Sequence, residues 1–115
     1  MKHLKTGSVR SKFQILATTR SAQAAMMVLQ PGKSTGDAPE NEHPRAEQWL
    51  YVVAGAGRAI VGKRRVTIGK NSLLLIEKGE SHKITNTGRK PLVTLNVYAP
   101  PAYGKDEEVL PRAKK

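Results

Sequence analysis

Between Trp49 and Tyr98 the chain is broken at short, even intervals by turn-forming residues. The runs WLYVVA, RAIV, RRVTI, LLLI, HKIT and LVTLNVY are separated at Gly55 to Gly57, near Gly62-Lys63, around Gly69 to Ser72, at Lys78 to Glu80 and at Thr87 to Pro91. Short β-prone runs about eight to twelve residues apart, with no amphipathic helix among them, restrict the chain to an all-β sandwich or barrel. In LVTLNVY, Leu92, Thr94, Asn96 and Tyr98 alternate with Val93, Leu95 and Val97, as expected where one strand face looks into a core.

Upstream, Phe13 to Thr19 and Ala22 to Leu29 carry two further apolar runs. Alanine and methionine would permit a helix in the second. It has no helical cap and stops at Pro31-Gly32 after a strand's length, so it is expected as a strand. Gln30 to Glu40, rich in Gly, Pro, Ser and Asp, is expected as a loop. The 115 residues are expected to form one domain: an arm over about 1–12, a barrel over about 13–100 and a charged tail over about 101–115. Pro100-Pro101 ends the sheet, and Tyr103, Val109 and Leu110 are the tail residues able to pack on the outside.

Composition narrows the chemistry. There is no cysteine, so disulfides, thiolate metal sites and cysteine nucleophiles are excluded, and any metal must be held by nitrogen and oxygen. The formal charge of +11 would attract anions. Its basic residues are scattered, however, and aromatics make up only 4%, so no stacking platform for nucleic acid is visible and that partner is not expected. The one basic triplet, Lys63, Arg64 and Arg65, falls at an expected hairpin turn. No apolar run approaches the ~20 residues of a membrane span. Arg10, Lys12 and Arg20 interrupt any signal core, so a cytoplasmic protein is expected.

Two nucleotide-like motifs fail on inspection. GKST at Gly32 has Met27 where a phosphate loop needs its first glycine, and GAGRAI at Gly55 lacks a third glycine and runs into a strand. No nucleotide cofactor is expected. Nor is there a Ser-His-Asp set or a pair of inward acids to support covalent hydrolysis.

Two segments remain as carriers of chemistry: NEHPRAEQWLYVVAGAG from Asn41 and GESHKITN from Gly79. They hold His43 and His82, the histidines outside the tail-borne His3. In an extended segment Asn41 and His43 share a face; Pro44 breaks it, and a turn through Arg45 and Ala46 lets Gln48 return to that face. His82 opens a strand after the turn at Gly79. A barrel can gather these groups in its interior, where each needs a metal, water or ligand as partner. Trp49 and Tyr51 should point the other way from Gln48 and Leu50 and pack between sheets or subunits.

The two segments resemble the paired motifs of the cupin superfamily, G-x5-H-x-H-x3-4-E-x6-G and G-x5-P-x-G-x2-H-x3-N, and the resemblance spans about two-thirds of the chain. His43, Gln48 at the glutamate position and Gly55 match the first; Gly79, His82 and Asn86 match the second. Asn41 stands at the first histidine position, Glu77 at the proline and Asn71 at the second motif's leading glycine, while Gly36 lies one residue too close to Asn41. About fifteen residues separate the motifs, as in small single-domain members.

This resemblance implies a double-stranded β-helix (jelly-roll) barrel. It implies His43, Gln48 and His82 as ligands of a divalent transition metal (Zn, Ni, Mn or Fe), with Asn41 a weak fourth ligand or water-holder, and Asn86 as a structural residue tying a turn. It also implies a homodimer, with the N-terminal strands contributing to the interface. Two functions are open: an enzyme, sugar-phosphate-isomerase-like, polarising a carbonyl or hydroxyl of a sugar or small polar metabolite, for which the basic charge would suit an anionic sugar; or a non-catalytic metabolite-binding or regulatory protein whose metal site has degenerated.

Overall fold

The inner face of the sheet is apolar at one end and polar at the other, and this gradient positions everything else. A computed structural model describes residues 1–36, 38 and 43–104. Eight strands follow in order: β1 (Phe13–Thr18), β2 (Gln23–Leu29), β3 (Glu47–Ala54), β4 (Ala56–Val61), β5 (Arg64–Gly69), β6 (Leu73–Ile76), β7 (His82–Asn86) and β8 (Leu92–Ala99). They form a five-stranded antiparallel sheet, β1-β2-β8-β3-β6, and a three-stranded one, β5-β4-β7. No helix occurs among the described residues, and none is therefore long and apolar enough to cross a membrane. The all-β barrel expected from the turn spacing is the observed fold.

β8 sits between β2 and β3 and alternates strictly, with Leu92, Thr94, Asn96 and Tyr98 buried and their neighbours half-buried. The register converts this alternation into layers. Leu92 lies opposite Leu29, Thr94 opposite Met27 and Val52, Asn96 opposite Ala25 and Leu50, and Tyr98 opposite Gln23 and Gln48. Leu29, Leu50, Val52, Ala59, Ile68, Ile84 and Leu92 fill the apolar end. Each large side chain in that set contributes about 1.5–3 kcal/mol by leaving water. Ala25, Ala46, Tyr98 and Ala102 form a smaller cluster towards the polar end.

Two local details depart from expectation. The break after β3 is Gly55 alone, at φ +89°, because Ala56 and Gly57 already pair with Gly69 and Ile68. His43 lies in a turn rather than a strand: its carbonyl accepts from the Ala46 amide at 3.0 Å, closing the chain over Pro44 and Arg45. Proline has no N–H to give to a ladder, and the turn satisfies the neighbouring backbone locally. Asn41 and the tail from residue 105, including Val109 and Leu110, lie outside the described residues.

Candidate functional site

The polar end of the barrel collects side chains from both sheets. Gln48 stands second in β3 and His82 opens β7, while His43 enters from the turn before β3. All three are buried: 4%, 3% and 2% exposed. The His43 and His82 rings lie 4.8 Å apart, and His43 Nε2 is 2.7 Å from Gln48 Oε1. The three residues thus meet in one place.

Each imidazole is oriented from its far side. His43 Nδ1 lies 3.2 Å from the Ala46 carbonyl and His82 Nδ1 3.1 Å from the Glu80 carbonyl. A carbonyl oxygen only accepts, so His82 carries its proton on Nδ1 and presents Nε2 as the electron-pair nitrogen, whereas His43 faces an oxygen at both ring nitrogens: its neutral ring can donate to only one of them, and a cation in place of an Nε2 proton would satisfy both sides. Behind Gln48 the network continues: its Nε2 donates to Asn96 Oδ1 at 2.8 Å, and Asn96 Nδ2 donates to Thr94 Oγ1 at 3.0 Å.

An aromatic wall encloses the site. His43 packs edge-on against Tyr98 at 5.0 Å, Tyr98 against Tyr103 at 5.1 Å, and Tyr103 against Phe13 at 4.8 Å. Gln23, 2% exposed, holds Tyr103 there. Its Oε1 accepts from the Ala102 and Tyr103 amides and its Nε2 donates to the Tyr103 carbonyl. A cavity of about 220 Å³ opens beside these groups, lined by Gln48 and His82, by Phe13, Met27 and Ile84, and by Lys12 and the two tyrosines among others.

His82 is held below its ordinary pKa of 6.5, chiefly by burial; the Glu80 carbonyl opposes this, His43 adds to it, and the Glu80 carboxylate opposes it again. The unfolded chain therefore takes up this proton at a higher pH than the folded one. The stability conferred by neutral His82 is complete above about pH 6.5 and is lost as pH falls towards the depressed folded value, at no more than about 1.4 kcal/mol per pH unit. Urea midpoints measured at about pH 7.5 and 5.5 should drop, and the drop should shrink in His82→Asn. An equal drop in that variant would assign the effect to another group.

Asn86 does what a turn-tying residue does: it donates to the Leu29 and Lys90 carbonyls and accepts from the Gly88 amide, each at 2.8 Å. Trp49 and Tyr51 point outward, 40% and 37% exposed, opposite Leu75 and Leu73 of β6. Asn96, Thr94 and Gln23 were not singled out by motif spacing. For Asn96 and Thr94 the signal was present, since both are polar on the inward phase of LVTLNVY, where an unpaired polar group is costly. For Gln23 there was none, because the amides of Ala102 and Tyr103 that it holds lie 79 and 80 residues away.

A two-sheet antiparallel barrel with two histidines and a glutamine converging at one end defines the class of double-stranded β-helix proteins. The chain belongs to the cupin family: the family model described as Cupin domain matches residues 25–98. Among curated proteins it is 29% identical over 94 residues to the uncharacterized protein YrkC of Bacillus subtilis (strain 168), covering 76% of this chain and 49% of that protein. It is 32% identical over 65 residues to a mannose-1-phosphate guanylyltransferase of Klebsiella pneumoniae, covering 56% of this chain and 14% of the enzyme. The chain thus spans about half or less of these relatives' length. Among solved structures, a Bacillus halodurans protein superposes with a TM-score of 0.77 at 27% identity, over 93% of this chain and 81% of that one.

Proposed function

We propose that the pocket is a metal-supported site for a small anionic sugar or similar polar metabolite, in a cytoplasmic single-domain protein. The observation that carries this reading is the convergence of His43, Gln48 and His82, buried together with both Nδ1 atoms turned onto backbone carbonyls. The donor set fits a borderline divalent metal such as Zn, Ni, Mn or Fe: two imidazole Nε2 atoms and one amide oxygen would hold it. Such an ion supplies Lewis acidity for polarising a carbonyl or hydroxyl, which suits isomerisation. The chain's own residues do the rest. Tyr98 and Tyr103 wall off water, Phe13, Met27 and Ile84 offer an apolar flank, and Lys12 is the cation among the described lining residues, suited to a carboxylate or phosphate. The similarity to a mannose-1-phosphate guanylyltransferase supports this class of ligand, and it spans 14% of that enzyme.

One observation favours a second reading, a non-catalytic metabolite-binding or regulatory barrel. Among the described residues no three His, Cys, Asp or Glu side chains come together, so the described set offers no carboxylate to neutralise the ion. Elemental analysis of protein purified without added metal, followed by a thermal-shift screen of sugar acids, sugar phosphates and neutral sugars with and without Ni²⁺, separates the two. The metal-supported reading expects stoichiometric metal and shifts for anionic sugars that grow with Ni²⁺. Shifts indifferent to metal support the binder, and none with any sugar removes both.

We further propose a homodimer through the outer face of β3 and β6. Trp49, Tyr51, Val53, Leu73 and Leu75 are exposed there, and the cross-strand pairs Trp49–Leu75 and Tyr51–Leu73 make the patch continuous. The five side chains are uncharged, and the Glu47 carboxylate beside them, which accepts from the Trp49 indole at 2.7 Å, is opposite in sign to the chain's net +11, so two copies can meet there without opposing their positive surfaces. This patch lies at the edge of the sheet opposite β1. Light scattering should give about twice 12.6 kDa for the wild type and 12.6 kDa for Trp49→Lys/Leu73→Lys.

A further inference from the structure

We infer that Asn96 is a positioning residue that fixes the Gln48 amide with its oxygen towards the histidine pair, and that it makes this position accept an amide in preference to a carboxylate.

The polarity of the network is set from its buried end. Asn96 is fully buried, and one end of its side-chain amide lies 3.4 Å from the Ala25 carbonyl, 3.3 Å from the Thr94 carbonyl and 3.0 Å from Thr94 Oγ1. Two of these partners are carbonyls, which can only accept, so that end must be the NH₂ group. The other end, Oδ1, is thereby turned to Gln48 at 2.8 Å. Oδ1 also only accepts, so Gln48 must present its own NH₂ to it, and Gln48 Oε1 is left facing His43 Nε2 at 2.7 Å. Rotating either amide by half a turn would set oxygen against oxygen in a place water does not reach. A backbone carbonyl of β2 thus determines, through two side chains, that the pocket receives an electron-pair oxygen from Gln48.

A carboxylate at position 48 meets the opposite condition. One of its oxygens would lie against Asn96 Oδ1, and Asn96 could turn its NH₂ round only by giving up three contacts to Ala25 and Thr94. The site is built for a neutral ligand at this position.

The binding readout rests on the metal-supported reading above; the second readout rests on the hydrogen bonds alone. Ni²⁺ is titrated calorimetrically into the wild type, Asn96→Leu, Gln48→Glu and the double variant. In the native background Asn96→Leu should weaken Ni²⁺ binding about tenfold or more, in the range of lost outer-shell partners. In the Gln48→Glu background the same substitution removes the opposed oxygen and should tighten binding, a reversal of sign that a merely structural residue does not produce. Weakening by the same factor in both backgrounds would overturn the proposal. If the wild type binds no Ni²⁺, the metal reading fails and the Gln48 side-chain amide protons decide by NMR. Slow exchange in the wild type and fast exchange in Asn96→Leu support the positioning role, and equal exchange overturns it. Should Asn96→Leu not fold, the near-isosteric Thr94→Val, which removes one anchor of Asn96, replaces it in both readouts, with the same direction and a smaller size expected.

Discussion

Gly55→Ala is expected to lower the melting temperature by about 15 °C or more, from a cost of about 3–5 kcal/mol. Two independent effects add at this position. Gly55 has φ +89°, where a side chain is strained by its own backbone. A Cβ there would also come within 2.9 Å of Leu92 Cα and closer still to the Pro91 carbonyl oxygen. Neither obstacle is the movable end of a side chain. Pro91 and Leu92 lead into β8, the strand that carries the inward-facing Thr94, Asn96 and Tyr98, so a backbone displaced at this point shifts the strand that organises the pocket. The loss is large against the ~5–15 kcal/mol by which domains of this kind are stable. Gly62→Ala, at φ +59° with nothing near its Cβ, supplies the control for conformational strain alone. A melting temperature for Gly55→Ala no lower than that control's would mean that the close approach to Pro91 relaxes at little cost.

The pattern around Gly55 explains what could be read from the chain and what could not. Strand positions were legible because they are written locally: turn residues at fixed offsets, and an alternation in LVTLNVY that the sheet reproduces residue for residue. Bringing His43, Gln48 and His82 together was legible only through the spacing of two motifs, since no local rule says that the first strand of one segment faces the first strand of another. His43 lies in a turn and not in the extended segment expected for it, because Pro44 ends a ladder without saying where the ladder began. The wall of the pocket was the least legible part. Tyr103 owes its place to Gln23, and such a bond between chain ends depends on which strands become neighbours, information that β2 and the tail do not carry singly. The register through β8 supplies it.

His82→Ala and His43→Ala are each expected to weaken Ni²⁺ binding by at least about 100-fold, a larger loss than that of an outer-shell partner. The consequence can be read as stability without any substrate. Free metal at one hundred times its dissociation constant stabilises a folded protein by about 2.7 kcal/mol, or about 10 °C in a domain of this size. That shift should be present in the wild type and fall to about 2 °C or less, from about 0.4 kcal/mol or less, in both variants at the same Ni²⁺ concentration. The two variants should differ without metal. His43→Ala loses contacts to Gln48, the Ala46 carbonyl and Tyr98 and leaves the relay from Asn96 ending on an unpaired oxygen, so its metal-free melting temperature should fall. His82→Ala also removes a buried ring whose charged form the fold disfavours, so its cost should be smaller at pH 6 than at pH 8. A Ni²⁺ shift that survives either substitution would place the ion elsewhere, and the exposed His3 is the first alternative to remove. In that event the buried pair would be read as hydrogen-bonding groups for an organic ligand, and the lack of a carboxylate among the described donors would have been the decisive sign.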